Sequence, residues 1–182
     1  LEYFNINAQN TNFLQPSFKL SDFIERKVDA ITAFRSNELY LLDNKNIPYN
    51  IIDPVEYGFS TNAINLFTSH NKVKNNPKQI KNFLSATKKG WEYALANIDE
   101  VAELIHLKYQ PSKSIEHLAY EGKITKELML LNMYEIGAIN KEFVLKTHSQ
   151  LQRNNKLNQD QTTDKLIFDP TKKPKALPTI NL

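Results

Sequence analysis

Residues 23–59 read FIERKVDAITAFRSNELYLLDNKNIPYNIIDPVEYGF, and the order of patterns inside this stretch sets the expected fold class. Asp29–Phe34 is a short apolar run with a β-branched centre, the signature of a buried strand. Glu38–Asn44 carries Leu39, Tyr40, Leu41 and Leu42 and predicts a short helix. Tyr49–Ile52 predicts another strand, stopped by Asp53-Pro54. Working outward, Tyr3–Ile6 is a short strand candidate and Phe18–Lys27 a helix. Ile64–Thr68 alternates apolar and polar residues with period two and predicts one more strand. Strands separated by short helices point to an α/β domain with a mostly parallel sheet and crossover helices.

The rest of the chain predicts helices. Asn75 and Asn76 precede Pro77, a capping residue followed by proline in the first turn. Ile80, Phe83, Leu84, Thr87, Trp91, Ala94 and Leu95 then keep helical spacing for about five turns. On this spacing Trp91 is a packing residue, and Tyr93 falls off the stripe. Asn97-Ile98-Asp99-Glu100 has the form of a capping box opening a helix to Tyr109, which Pro111 ends. Ser112 or Ser114 opens a further helix to about Leu131, and Asn140 caps a last one with Phe143, Val144, Thr147 and Leu151 on one face. A division follows: residues 1–152 as the folded part, and residues 153–182 as a polar, Lys/Pro-rich tail or linker.

Composition narrows the chemistry. The chain has 182 residues, 41% of them hydrophobic and 24% charged, enough to bury a core. Cys 0 excludes a disulfide framework, a thiolate metal site, an iron–sulfur cluster and a cysteine nucleophile. The net charge of +3 sits from Arg153 onward, where Arg153, Lys156, Lys165, Lys172, Lys173 and Lys175 outnumber Asp160, Asp164 and Asp169. The residues before Arg153 are neutral in sum, so nothing there concentrates positive charge for a nucleic acid. No apolar run reaches the ~20 residues of a membrane helix. His70, His106, His117 and His148 lack metal-ligand spacing, and all four are expected on the surface. No nucleophile elbow, phosphate loop, zinc-protease helix or defensible acid–base carboxylate pair is present.

Residues 23–59 together with NLFTSHNKVKNNPKQIKNFLSATKKGWEYALANIDEVAELIHLKY at 65–109 carry a connected pattern. Its pieces are Lys27-Val28-Asp29-Ala30, Ser36-Asn37-Glu38, Asp53-Pro54 before Tyr57-Gly58, Leu66-Phe67-Thr68-Ser69, and Lys89-Gly90-Trp91-Glu92-Tyr93-Ala94. In order and spacing it resembles the second lobe and returning helices of type 2 periplasmic substrate-binding proteins. The branch is the one of thiamine-pyrimidine, nitrate, taurine and sulfonate binders, and the form is the one fused to histidine kinases or diguanylate cyclases in bacterial sensors. The resemblance implies a type 2 periplasmic-binding-protein-like fold in incomplete form: the sheet of the second lobe plus C-terminal helices, with the first lobe absent. On that expectation the sequence is a truncated product or a fragment, and a homodimer is the alternative state.

The resemblance also implies a function. It is non-enzymatic binding of a small solute, a pyrimidine or a small anion, by closure of two lobes, with no cofactor. The protein partner is a membrane permease of the ABC type or a fused kinase or cyclase domain, and the location is periplasmic or extracytoplasmic. A related eukaryotic enzyme makes the thiamine pyrimidine with a histidine and a cysteine-rich iron motif, and a chain without cysteine disfavours that activity.

Candidate ligand residues follow the predicted strand Asp29–Phe34, because ligands in open α/β sheets bind beyond the carboxyl ends of strands. Arg35 offers a fork for an anion, Ser36 a hydroxyl, Asn37 both donor and acceptor, and Glu38 an acceptor for an amine or amidine. Alternatively, Asn37 caps the following helix and Arg35 pairs with Glu38 at the surface. Tyr57 is the aromatic that relatives place at the cleft, where a flat ring can stack on a pyrimidine; the alternative is a turn residue packed on the surface.

Overall fold

The computed structural model describes residues 6, 7, 9–59, 64–154, 156–158, 163, 167 and 168. Among these the chain forms seven α-helices: α1 (Ser21–Ile24), α2 (Glu38–Asn44), α3 (His70–Asn75), α4 (Pro77–Ala96), α5 (Ile98–Lys108), α6 (Ile115–Leu128) and α7 (Lys141–Arg153). A 3-10 turn covers Pro54–Tyr57.

No strand forms among the described residues, and this overturns the expected α/β fold with its second-lobe sheet. The segments 29–34, 49–52 and 64–68 are irregular. Their large side chains face solvent, with Ile52 74% exposed, Ile64 81% and Phe67 90%. The physical reason lies in where each element finds its hydrogen bonds. A helix closes its backbone bonds four residues away and needs no second segment. A strand finds every one of its bonds on a neighbour, so an apolar run with no neighbouring strand stays unpaired whatever its propensity. Of the fourth expected strand, Tyr3–Ile6, only Ile6 lies among the described residues, and most of the expected tail lies outside them too.

The helices fall where local signals are strongest. In α4 Pro77 occupies the first turn, where its missing N–H costs nothing. Proline also disfavours helical geometry in the residue before it, and Asn76 at φ −132° separates α3 from α4. On the predicted stripe Ile80, Leu84, Thr87, Trp91 and Ala94 are half-buried and Leu95 is buried, whereas Phe83 is exposed. Asn140 caps α7 as expected, its Oδ1 accepting from the N–H groups of Glu142 (2.9 Å) and Phe143 (3.3 Å). Ser114 opens α6 by accepting from the N–H of His117. Ser69 caps α3 through the N–H of Lys72, a helix not among those expected from the sequence.

The capping box at the start of α5 does not form. Asn97 turns its Nδ2 back to the carbonyl of Tyr93 (2.9 Å), satisfying the end of α4. Glu100 accepts instead from the Tyr93 hydroxyl at 2.8 and 2.9 Å. The predicted helix Phe18–Lys27 shrinks to α1, and its end has Arg26 in the left-handed region at φ 56°.

By contacts the chain forms two compact units. The first is Leu1–Asn50 with Ala102–Thr125, and the second Ile51–Val101 with Lys126–Leu182. In the first, Leu42, Ala102, His117 and Leu118 are buried; in the second, Leu95.

Candidate functional site

Four of the five predicted site residues sit at the start of α2, in the first unit. A turn leads into the helix, with the N–H groups of Asn37 and Glu38 both reaching the carbonyl of Phe34. Asn37 holds the N-cap position, but its side chain makes no capping bond. Its carboxamide is engaged elsewhere: Nδ2 donates to Glu38 Oε1 at 2.7 Å, and Oδ1 accepts from Lys113 Nζ at 2.8 Å. Glu38 Oε2 accepts from the backbone N–H of Phe34 at 2.6 Å. Both carboxylate oxygens are thus bound within the turn, and the alternative in which Glu38 serves as the surface partner of Arg35 does not describe it. Ser36 is half-buried beside them, and Arg35 is exposed.

The helix that meets this turn is α6, and it supplies what the sequence reading missed. Lys113, just before α6, also pairs with Glu121 at 2.8 Å. His117 stacks on Tyr40 of α2, ring centroids 4.3 Å apart and planes 17° from parallel. Tyr120 packs at a tilt on Tyr40, ring centroids 5.1 Å apart, with its hydroxyl 3.5 Å from the carbonyl of Arg35. The ring of His106, on α5, meets the carbonyl of Lys113 through Nδ1 at 2.8 Å, fixing the backbone that carries the lysine. His117 and Glu121, four residues apart on α6, share one face of that helix, and Lys113 stands four residues before His117 just ahead of the helix. That spacing was the available signal.

His117 corrects an expectation. It was placed on the surface, and it is only 4% exposed, with Nε2 finding no hydrogen-bond partner among the described residues. Burial pushes its pKa down, and the Lys113 ammonium pushes the same way; Glu121, the backbone of Asn37 and Glu38 oppose them. The net direction is downward, so the ring is neutral at pH 7. The other groups of the cluster are Lys113, Glu38 and Glu121, one positive charge against two negative.

Tyr57 belongs to the second unit. It ends the 3-10 turn that Asp53 caps by accepting from the N–H of Val55 (2.9 Å), and it is half exposed. Gly58 follows it at φ 79°, a left-handed conformation in which a side chain would be strained.

A family model described as NMT1/THI5 like matches residues 1–101. The match takes in more than half of the chain, including the α2 turn and Tyr57, and the chain belongs to this family. Neither the curated proteins nor the solved structures contain a match to it. Membership fits solute binding by a binding protein. Lys113, His117 and Glu121 lie beyond the matched residues.

Proposed function

We infer that the chain binds a small solute at the Asn37–Glu38 site, and that the solute is an amino-substituted pyrimidine. The observation that supports the reading is the polarity of the α2–α6 cluster in an NMT1/THI5-like chain. The cluster holds two carboxylates, Glu38 and Glu121, against a single ammonium on Lys113 that pairs with Glu121, and the histidine among them is neutral. Remaining carboxylate lone pairs accept N–H donors, which the edge of an aminopyrimidine presents. A nitrate or sulfonate would instead meet like charge at short range. Arg35 is the residue that speaks for an anion, and its side chain is out in solvent.

The reading is non-enzymatic. Ligand binding shifts a population between open and closed forms, and that shift is read by an ABC-type permease or by a kinase or cyclase fused to the domain in a bacterial membrane sensor. It operates in the periplasm or otherwise outside the cytoplasm. Synthesis of the thiamine pyrimidine would need the cysteine-rich iron motif, and the chain has Cys 0.

The test is thermal unfolding of the full chain with the thiamine aminopyrimidine, nitrate and taurine in turn. A ligand present at a hundred times its Kd stabilises by about 2.7 kcal/mol, a readily measured shift in Tm. The expected result is a rise with the pyrimidine alone, mostly lost in Glu38→Gln. A rise with nitrate or taurine, lost in Arg35→Ala, would move the ligand to the anion class. No rise with any of the three would overturn the reading.

A further inference from the structure

The Asn37 carboxamide is symmetrical in shape and opposite in chemistry at its two ends, so a site that uses it must fix which way it points. In this structure two groups do that. Lys113 Nζ donates to Asn37 Oδ1 at 2.8 Å, which leaves Nδ2 to donate to Glu38 Oε1 at 2.7 Å. The lysine is itself held. Glu121 Oε1 takes a second of its three hydrogens at 2.8 Å, and His106 Nδ1 contacts its carbonyl at 2.8 Å. The lysine side chain is 22% exposed and that of Glu121 27%, so solvent competes little for these bonds.

We propose that Lys113 is the positioning residue of the Asn37–Glu38 site, a clamp that reaches across from the start of α6 and sets the polarity the ligand meets. With Oδ1 and one Nδ2 hydrogen committed, Asn37 has one N–H left to offer, and Glu38 presents only acceptors. Lys113 keeps one N–H of its own after Asn37 and Glu121 are served. Without the ammonium Oδ1 loses its donor, and only the bond to Glu38 still orients the carboxamide, which is then held less tightly. The proposal rests on the reading of this turn as the ligand site.

Two measurements on the full chain test it, one of them independent of any ligand. The first is NMR of the Asn37 side-chain amide in the wild type, Lys113→Gln and Lys113→Arg. Expected are Nδ2 protons that exchange slowly with solvent in the wild type and in Lys113→Arg, and measurably faster in Lys113→Gln. An amide unchanged in Lys113→Gln overturns the clamp, whether or not a ligand is ever found. The second is affinity for the thiamine aminopyrimidine, expected to be about tenfold weaker in Lys113→Gln and restored in Lys113→Arg. Equal affinity in the wild type and Lys113→Gln overturns the positioning role. A wild type that binds no pyrimidine counts against the ligand reading, and the amide signals still decide the clamp. Glu121→Gln, which leaves Lys113 in place but unheld, is expected to fall between the two and guards against a Lys113→Gln variant that does not fold.

Discussion

Asn37 and His117 show how single residues carry this site. Asn37 was legible as a candidate because it follows an apolar run and precedes a helix. The bond that orients it comes from Lys113, 76 positions along the chain, and no local pattern announces a contact of that separation. His117 was missed for a related reason: a histidine with no metal spacing reads as solvated, and its burial is decided by Tyr40 from another helix. Its pKa lies below the ordinary 6.5, first through burial and then through the Lys113 charge. The unfolded chain therefore takes up a proton at higher pH than the folded one. Stability is expected to be fully present above pH 6.5 and to decline as pH falls through 6.5 towards the lower folded value. Urea unfolding at several pH values between 5 and 8 measures that slope. His117→Phe keeps the stack on Tyr40, removes the unpartnered Nε2 and is expected to abolish this part of the slope, with stability at pH 7 equal or about 1 kcal/mol higher. His117→Ala, which loses the stack and opens a cavity, is expected to cost about 2 kcal/mol.

At the scale of elements, what was legible is what is local. Glu38–Asn44, the Pro77 helix and the Asn140 helix stand where their spacing puts them; of the three only the last has its side-chain cap, since Asn37 and Asn76 hold N-cap positions without a capping bond. Asn140→Ala removes the acceptor for two N–H groups at the start of α7 and is expected to cost about 1 kcal/mol, read as a lower urea midpoint with an unchanged m-value. The start of α5 was misread because one sequence fits two circuits. Asn97 and Glu100 can cap their own helix, or they can serve Tyr93 of the helix before, and the short connection between α4 and α5 brings Tyr93 within reach. The Tyr93 phenol is accordingly held above its usual range by the Glu100 carboxylate. The strand runs failed on the other side of the same rule: their period and composition suit a sheet, and a sheet requires a paired neighbour, which none of them has among the described residues.

For the molecule as a whole, the consequence is a large stock of apolar side chains in water. Phe18, Phe34, Ile52, Ile64 and Phe67, all in irregular segments, are among those exposed, as are Leu107 of α5 and Leu128 of α6. Exposed apolar groups of this density attract other apolar surfaces. The native protein is expected to enhance the fluorescence of an apolar dye such as ANS, and Phe67→Ser with Ile64→Ser is expected to lower that signal without lowering the Tm. An unchanged signal in the double variant would place the dye elsewhere. The family assignment, the α2 turn and the helical half were within reach of the sequence; how much apolar surface stays open was not, because burial belongs to the assembled fold.

The four-residue rhythm of Lys113, His117 and Glu121 has one more consequence, and it concerns chain length. Each residue of a helix turns the next by about 100°. One residue inserted between Ser114 and His117 would swing the imidazole off Tyr40 and carry Glu121 away from Lys113 in a single step, with every side chain of the cluster still present. The irregular stretch 129–140, outside any helix, has no such phase to lose. Variation in length is therefore tolerable after α6 and ruinous at its start, where the site is kept by counting as much as by chemistry.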